Sequence, residues 1–222
     1  MGVRIKICGI TSVDDALMVA EAGADAIGLN FFAGPRRIDV GLADRILSAL
    51  PPMIAVVALV DVSRGGVPAD VLGLLDRHRV SHVQMYGCVT GETIAELRRD
   101  GFRAIYVAQV DGPAFCETVR ALLDAGSESR PSAILLDAAD ERRAGGTGKP
   151  ADWDLLREVG ESSAMADWPP IMLAGGLRPD NVGQAIAVVK PWAVDVASGV
   201  ESSPGRKDAA LVRAFVEACS DR

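Results

Sequence analysis

The chain has 222 residues, of which 49% are hydrophobic, 24% charged and 5% aromatic, and its formal net charge is −7. That apolar share suits a packed core and is too high for a disordered chain. The acidic balance argues against nucleic acid as a partner, because a phosphate backbone needs a basic face; a small anionic ligand stays compatible, since a pocket can be locally positive on an acidic protein.

Taken in chain order, residues 3–8 (VRIKIC) predict a strand and residues 11–23 a helix. Thr11 and Ser12 are both candidate caps for that helix, each with an Asp three residues on, and Gly23 is its stop. Strands then follow at 25–32, 53–60, 81–86, 102–110, 132–137, 170–176 and 192–199. Between and after them come helices at 40–50, 67–78, 90–100, 112–126, 152–160, 178–189 and 206–219. The strands are continuous Val, Ile, Leu and Ala runs, as expected of a parallel sheet covered on both faces. An open doubly wound sheet and a closed barrel both accept such repeats; a count of eight units favours an α/β fold of the single (β/α)8 TIM-barrel type. No linker divides the chain, so one domain over residues 1–222 is expected, with 127–132 and 140–150 as loops inside the repeat.

The amino terminus, MGVRIKICGI, has no basic lead into a long apolar stretch, which predicts no signal peptide. The longest clean apolar run, residues 53–60, is far too short for a bilayer span, so no membrane partner is expected. Cys8, Cys88, Cys116 and Cys219 are widely spaced without a C-x-x-C pair, the pattern of reduced thiols in a cytoplasmic protein. His78 and His82 straddle a helix-to-strand junction and share no helical face, which argues against a metal site.

In a barrel the chemistry lies at the carboxyl ends of the strands and in the loops after them. Gly145, Gly146 and Gly148 follow the sixth strand, Gly175 and Gly176 close the seventh, and Ser198 and Gly199 follow the eighth. Glycine loops bring backbone N–H groups close to phosphate oxygens. Any one of these loops also fits a tight turn, but the last two together, where barrels commonly hold phosphate, point to a phosphorylated small molecule. GGTGKP is not a P-loop, and no G-x-G-x-x-G follows the first strand, so a dinucleotide is not indicated.

Cys8 ends the first strand, two residues after Lys6; alone it fits a buried apolar thiol at least as well as a base. Asp137 ends an apolar run where packing has no use for a carboxylate, and an acid at such a mouth suits proton donation. Asp195 fits a substrate contact and a structural carboxylate equally. Arg36, in AGPRRI after the second strand, offers a fork to a carboxylate or phosphate or is simply a solvated loop charge.

Assembled, KICGIT (6–11), GADAIGLNF (23–31), PRRI (35–38), ILLD (134–137), GGTG (145–148), DW (152–153), LAGGL-x-P-x-NV (173–182) and VDVASGVE-x-x-PG-x-KD (194–208) resemble the phosphoribosylanthranilate isomerase family, in its order and over nearly the whole chain. The resemblance implies a (β/α)8 barrel of tryptophan biosynthesis that performs a cofactor-free Amadori rearrangement. Asp137 matches the family's general acid, Cys8 its general base, and Arg36 the arginine that meets the anthranilate carboxylate. The glycine loops match its phosphate cradle. The assembly is expected to be a monomer or a homodimer.

The chain departs from the family pattern at Tyr86, where the family has histidine, at Cys88 in place of an acid, at Gly34 in place of serine, and at Ala151 in place of an aromatic residue. Two alternatives are carried with this reading. One is a related sugar-phosphate barrel with an altered substrate, including a lyase with a Schiff-base lysine, for which Lys6 is the only strand lysine. The other is a paralogue that binds a phosphorylated ligand with little catalysis.

Overall fold

A computed structural model of the chain describes residues 2–63, 65–138, 153–161 and 165–220. Eight parallel strands close into a barrel: β1 (Arg4–Cys8), β2 (Ala26–Asn30), β3 (Ala55–Asp61), β4 (His82–Tyr86), β5 (Arg103–Val110), β6 (Ala133–Ala138), β7 (Ile171–Leu173) and β8 (Ala193–Val196). The last strand pairs with the first, Lys6 lying beside Asp195 in register. Each is followed by a helix: α1 (Val13–Glu21), α2 (Val40–Ala49), α3 (Ala69–Arg77), α4 (Gly91–Arg99), α5 (Phe115–Asp124), α6 (Trp153–Glu161), α7 (Val182–Val189) and α8 (Ala209–Ser220). This is the α/β barrel that the count of eight units favours.

The apolar strand runs are explained by burial on both faces. Residues facing outward, such as Ile5, Ile7, Ile27, Leu29, Ile134 and Val194, pack beneath the helices. Inward residues Val57, Leu59, Ile105, Val107, Leu135 and Met172 fill the barrel itself, with Cys8 at the upper edge of that cluster. Burying a large aliphatic side chain contributes about 1.5–3 kcal/mol, so the two shells carry most of the fold's driving force. Among the described residues, no helix is long and apolar enough to cross a membrane.

Local structure departs from or refines the sequence reading in several places. Of the two candidate caps, Ser12 takes the role, its hydroxyl accepting from the Asp15 N–H at 3.0 Å. Thr11 instead donates to the Gly205 carbonyl and ties the first loop to the last. β7 ends at Leu173, because Gly175 and Gly176 turn the backbone to φ 86° and 64°. α7 then begins at Val182 rather than Arg178, since Asn181 spends its side chain on the Arg178 N–H and the Gly176 carbonyl. After β8, a short turn (Ser198–Val200) leads into a hairpin, β9 (Glu201–Ser203) and β10 (Arg206–Lys207), which the sequence reading had merged into loop and helix.

Candidate active site

The carboxyl ends of the strands converge on one cavity. Its lining includes Cys8 from β1, Asp137 from β6 and Asp195 from β8, together with Arg36 from the loop after β2. Gly175 and Gly176 after β7, and Ser198 and Gly199 after β8, form another part of its wall. Eight of the eleven candidate residues named from the sequence therefore meet at one rim. The other three, Gly145, Gly146 and Gly148, lie outside the described residues, as do Ala151 and Asp152.

Cys8 is 6% exposed. Burial pushes its thiol above the ordinary range, and the nearby ammonium of Lys6 pulls it back in part. Gly28 lies beside it across the β1–β2 ladder, and a Cβ there would stand 2.7 Å from the Cys8 sulfur. The missing side chain is the space that the sulfur occupies. Lys6 points into the same barrel and donates to Asp195 Oδ1 at 2.8 Å. Burial opposes its charge, but the Asp195 carboxylate and then the Cys8 sulfur outweigh it, and Lys6 holds its proton more tightly than usual. A protonated, paired amine is not a nucleophile, which weakens the Schiff-base alternative. Asp195 thus meets an ammonium rather than the backbone N–H groups of a structural carboxylate, while still lining the cavity.

Arg36 is at the cavity, but its fork is already engaged. Nε and Nη2 donate to the two Glu201 oxygens at 2.7 and 2.6 Å. Lys207 Nζ donates to the same carboxylate at 2.8 Å and to the Ala197 carbonyl at 3.0 Å. Two cations around one carboxylate leave a net positive charge beside the cavity, which Arg36 alone of the three lines, with its Nη1 the donor not committed to Glu201. Together Arg36 and Lys207 hold Glu201 below the usual carboxylate range against its burial. The stem of Arg36 packs directly over Gly9, where any Cβ would collide with its Cδ.

Tyr86, the residue that departs from the family pattern, also lines the cavity. Gln84 Nε2 donates to its hydroxyl at 2.9 Å, and its ring meets Phe32 at 4.7 Å between centroids. Burial, then the nearby Cys8, Asp137 and Asp195, push the phenol well above its ordinary range, so it stays neutral. His78 is engaged elsewhere, with Asp44 at 2.9 Å, and His82 lies at the opposite end of β4.

Glu201, Lys207 and Gly28 were not singled out from the sequence. Their signals were present: VE-x-x-PG-x-KD carries the first two, and the pairing of β1 with β2 sets Gly28 opposite Cys8.

Comparison with known proteins bears directly on this site. The family described as N-(5'-phosphoribosyl)anthranilate (PRA) isomerase matches residues 5–218. The chain belongs to the phosphoribosylanthranilate isomerase family. An N-(5'-phosphoribosyl)anthranilate isomerase of Pseudomonas aeruginosa is 44% identical over 223 residues, covering 99% of this chain and 96% of its own. The crystal structure of phosphoribosyl anthranilate isomerase from Thermotoga maritima superposes with a TM-score of 0.83 at 33% identity, covering 99% of this chain and 100% of that one. A structure of the isomerase in complex with reduced 1-(o-carboxyphenylamino)-1-deoxyribulose 5-phosphate superposes at 0.80 and 32% identity, with the same coverage.

Proposed function

We propose that the chain converts N-(5'-phosphoribosyl)anthranilate to 1-(2-carboxyphenylamino)-1-deoxyribulose 5-phosphate, with Asp137 as general acid and Cys8 as general base. The observation that carries these roles is that one cavity holds both side chains together with Arg36 and the glycine turns after β7 and β8. The glycine turns anchor the phosphate through backbone N–H groups, as barrels commonly do at this place. Arg36 meets the anthranilate carboxylate through the edge that Glu201 leaves to it.

Asp137 gives its proton to the ribose ring oxygen as the bond from that oxygen to C1' breaks. The anilino nitrogen lone pair moves in to form the protonated Schiff base. The Cys8 thiolate then takes the proton from C2', and the electron pair of that C–H bond becomes the C1'–C2' double bond of an enolamine. A proton returns to C1' from the Cys8 thiol, and the C2' hydroxyl proton passes through solvent to the Asp137 carboxylate, which gives the ketone and restores both groups. Atoms and charge balance without a cofactor. Each proton transfer of this kind is worth about 10²–10⁴ in rate.

The test is to add the purified chain to freshly made phosphoribosylanthranilate and follow the loss of its fluorescence. Turnover is expected, and its absence in a folded preparation would overturn the proposal. Cys8→Ser and Asp137→Asn should each lower kcat by at least about a hundredfold without unfolding the barrel. Near-normal turnover in either variant would remove the role given to that residue.

A further inference from the structure

We propose that the buried pair of Lys6 and Asp195 is a positioning device for the Cys8 sulfur, in which Lys6 is the counter-ion of the thiolate and Asp195 keeps Lys6 charged. The proposal rests on the reading of Cys8 as the base and adds two residues that act through it.

The geometry begins with strand periodicity. Lys6 and Cys8 are two residues apart on β1, so both face into the barrel. Register across the closing seam sets Asp195 beside Lys6. The pair is made at 2.8 Å, with the Lys6 side chain 1% and the Asp195 side chain 9% exposed. Around it the barrel interior is mostly apolar, with Val57, Ile105, Leu135 and Met172 on other strands and Ala193 on the same strand as Asp195, and with Gln84 of β4 buried among them.

Stability does not explain such a pair. Removing two charges from water costs several kcal/mol for each ion, and replacing a buried pair with apolar side chains of similar volume is often neutral or stabilising. The third partner does explain it. The Lys6 ammonium has three donors; one goes to Asp195, and the Cys8 sulfur lies two residues further along the same inward face of β1. While the thiol is protonated, lysine and aspartate neutralise one another. Once the thiolate forms, the adjacent charge available to it is Lys6. The other groups facing the sulfur are Asp137, Tyr86, Arg36 and Lys207; Arg36 and Lys207 share Glu201, and Lys207 favours the thiolate less than Lys6 does. Asp195 has a separate duty, because a lysine so deeply buried would otherwise give up its proton.

The experiment measures the Cys8 thiolate directly, as ultraviolet thiolate absorbance against pH, taking the full chain minus its Cys8→Ser variant so that the other three cysteines cancel. In Lys6→Met the Cys8 midpoint should move up by about one pH unit. kcat near neutrality should fall about tenfold and recover as pH rises, with KM within about twofold. Lys6→Met strands the Asp195 carboxylate, so the double variant Lys6→Met/Asp195→Asn provides a folded alternative that removes both charges; its midpoint should also rise. An unmoved midpoint in either folded variant would overturn the proposal. Because absorbance does not depend on turnover, full activity in Cys8→Ser would refute the base assignment while the titration still decides the role of Lys6.

Discussion

Gly28 leaves the Cys8 sulfur the room it occupies. A methyl group at this position would lie 2.7 Å from the sulfur and 3.2 Å from the Cys8 Cα and Leu59 Cδ1, all in the packed interior. The sulfur is the atom able to swing aside, and a reacting group displaced by an ångström loses on the order of a hundredfold in rate. Gly28→Ala should therefore lower kcat by about that factor with little change in KM; a normal kcat in the folded variant would mean that the thiol tolerates the shift. At the other end of the cavity, Glu201 governs Arg36. Charge-assisted, two-point pairing fixes the guanidinium and leaves one edge for a ligand. Glu201→Gln should raise KM by about tenfold, measured by the fluorescence assay, while kcat changes little. An unchanged KM would show that Arg36 needs no help in reaching its ligand.

At the level of elements, the sequence was most legible where a helix opens on a single good cap. Asp39 and Thr90 each accept from the N–H three residues on, at 2.7 and 3.2 Å, and the helices behind them begin where the pattern predicts. Ser12→Ala removes such a cap from α1 and should lower unfolding stability by about 1 kcal/mol in a denaturant titration, leaving KM unaffected. Thr11, equally plausible by residue type, is taken by a carbonyl of the last loop, a contact of high sequence separation that local spacing cannot reveal. The same reason hides the hairpin of β9 and β10. Its strands are three and two residues long, too short for any periodicity, and it is tied down at Glu201, which accepts from both Lys207 and Arg36. β7 read too long because its apolar run continues into two glycines whose positive φ only the folded turn discloses.

Over the whole molecule, barrel closure converts a linear pattern into a site. The fold class was legible because a count of eight strand–helix units favours a closed barrel over an open sheet, and the rim residues followed because they end an apolar run or lie in the loop after one. Partnerships were not legible: the sequence holds Lys6 and Asp195 far apart, and only the β8–β1 seam makes them neighbours. The trio of Arg36, Glu201 and Lys207 also links loops from opposite ends of the chain, and it bears on acid stability. Glu201 titrates lower in the folded chain than an ordinary carboxyl group does. Its contribution is therefore complete above the ordinary carboxylate range and is lost as pH falls through the lowered folded value. The stability of the natural chain should decline over that acidic window, and Glu201→Gln should flatten the decline. Parallel curves for the two proteins would place the acid sensitivity elsewhere.

The seam between β8 and β1 has a consequence for biosynthesis. Cys8 leaves the ribosome early, yet its lysine neighbour finds a counter-ion, and Arg36 its carboxylate, only in the stretch from Asp195 to Lys207. A nascent chain that has emerged only through α7 holds an unmatched ammonium where the barrel should be driest. Completion of the wall and assembly of the reactive centre are then one late event, so that a half-made polypeptide carries no stray chemistry.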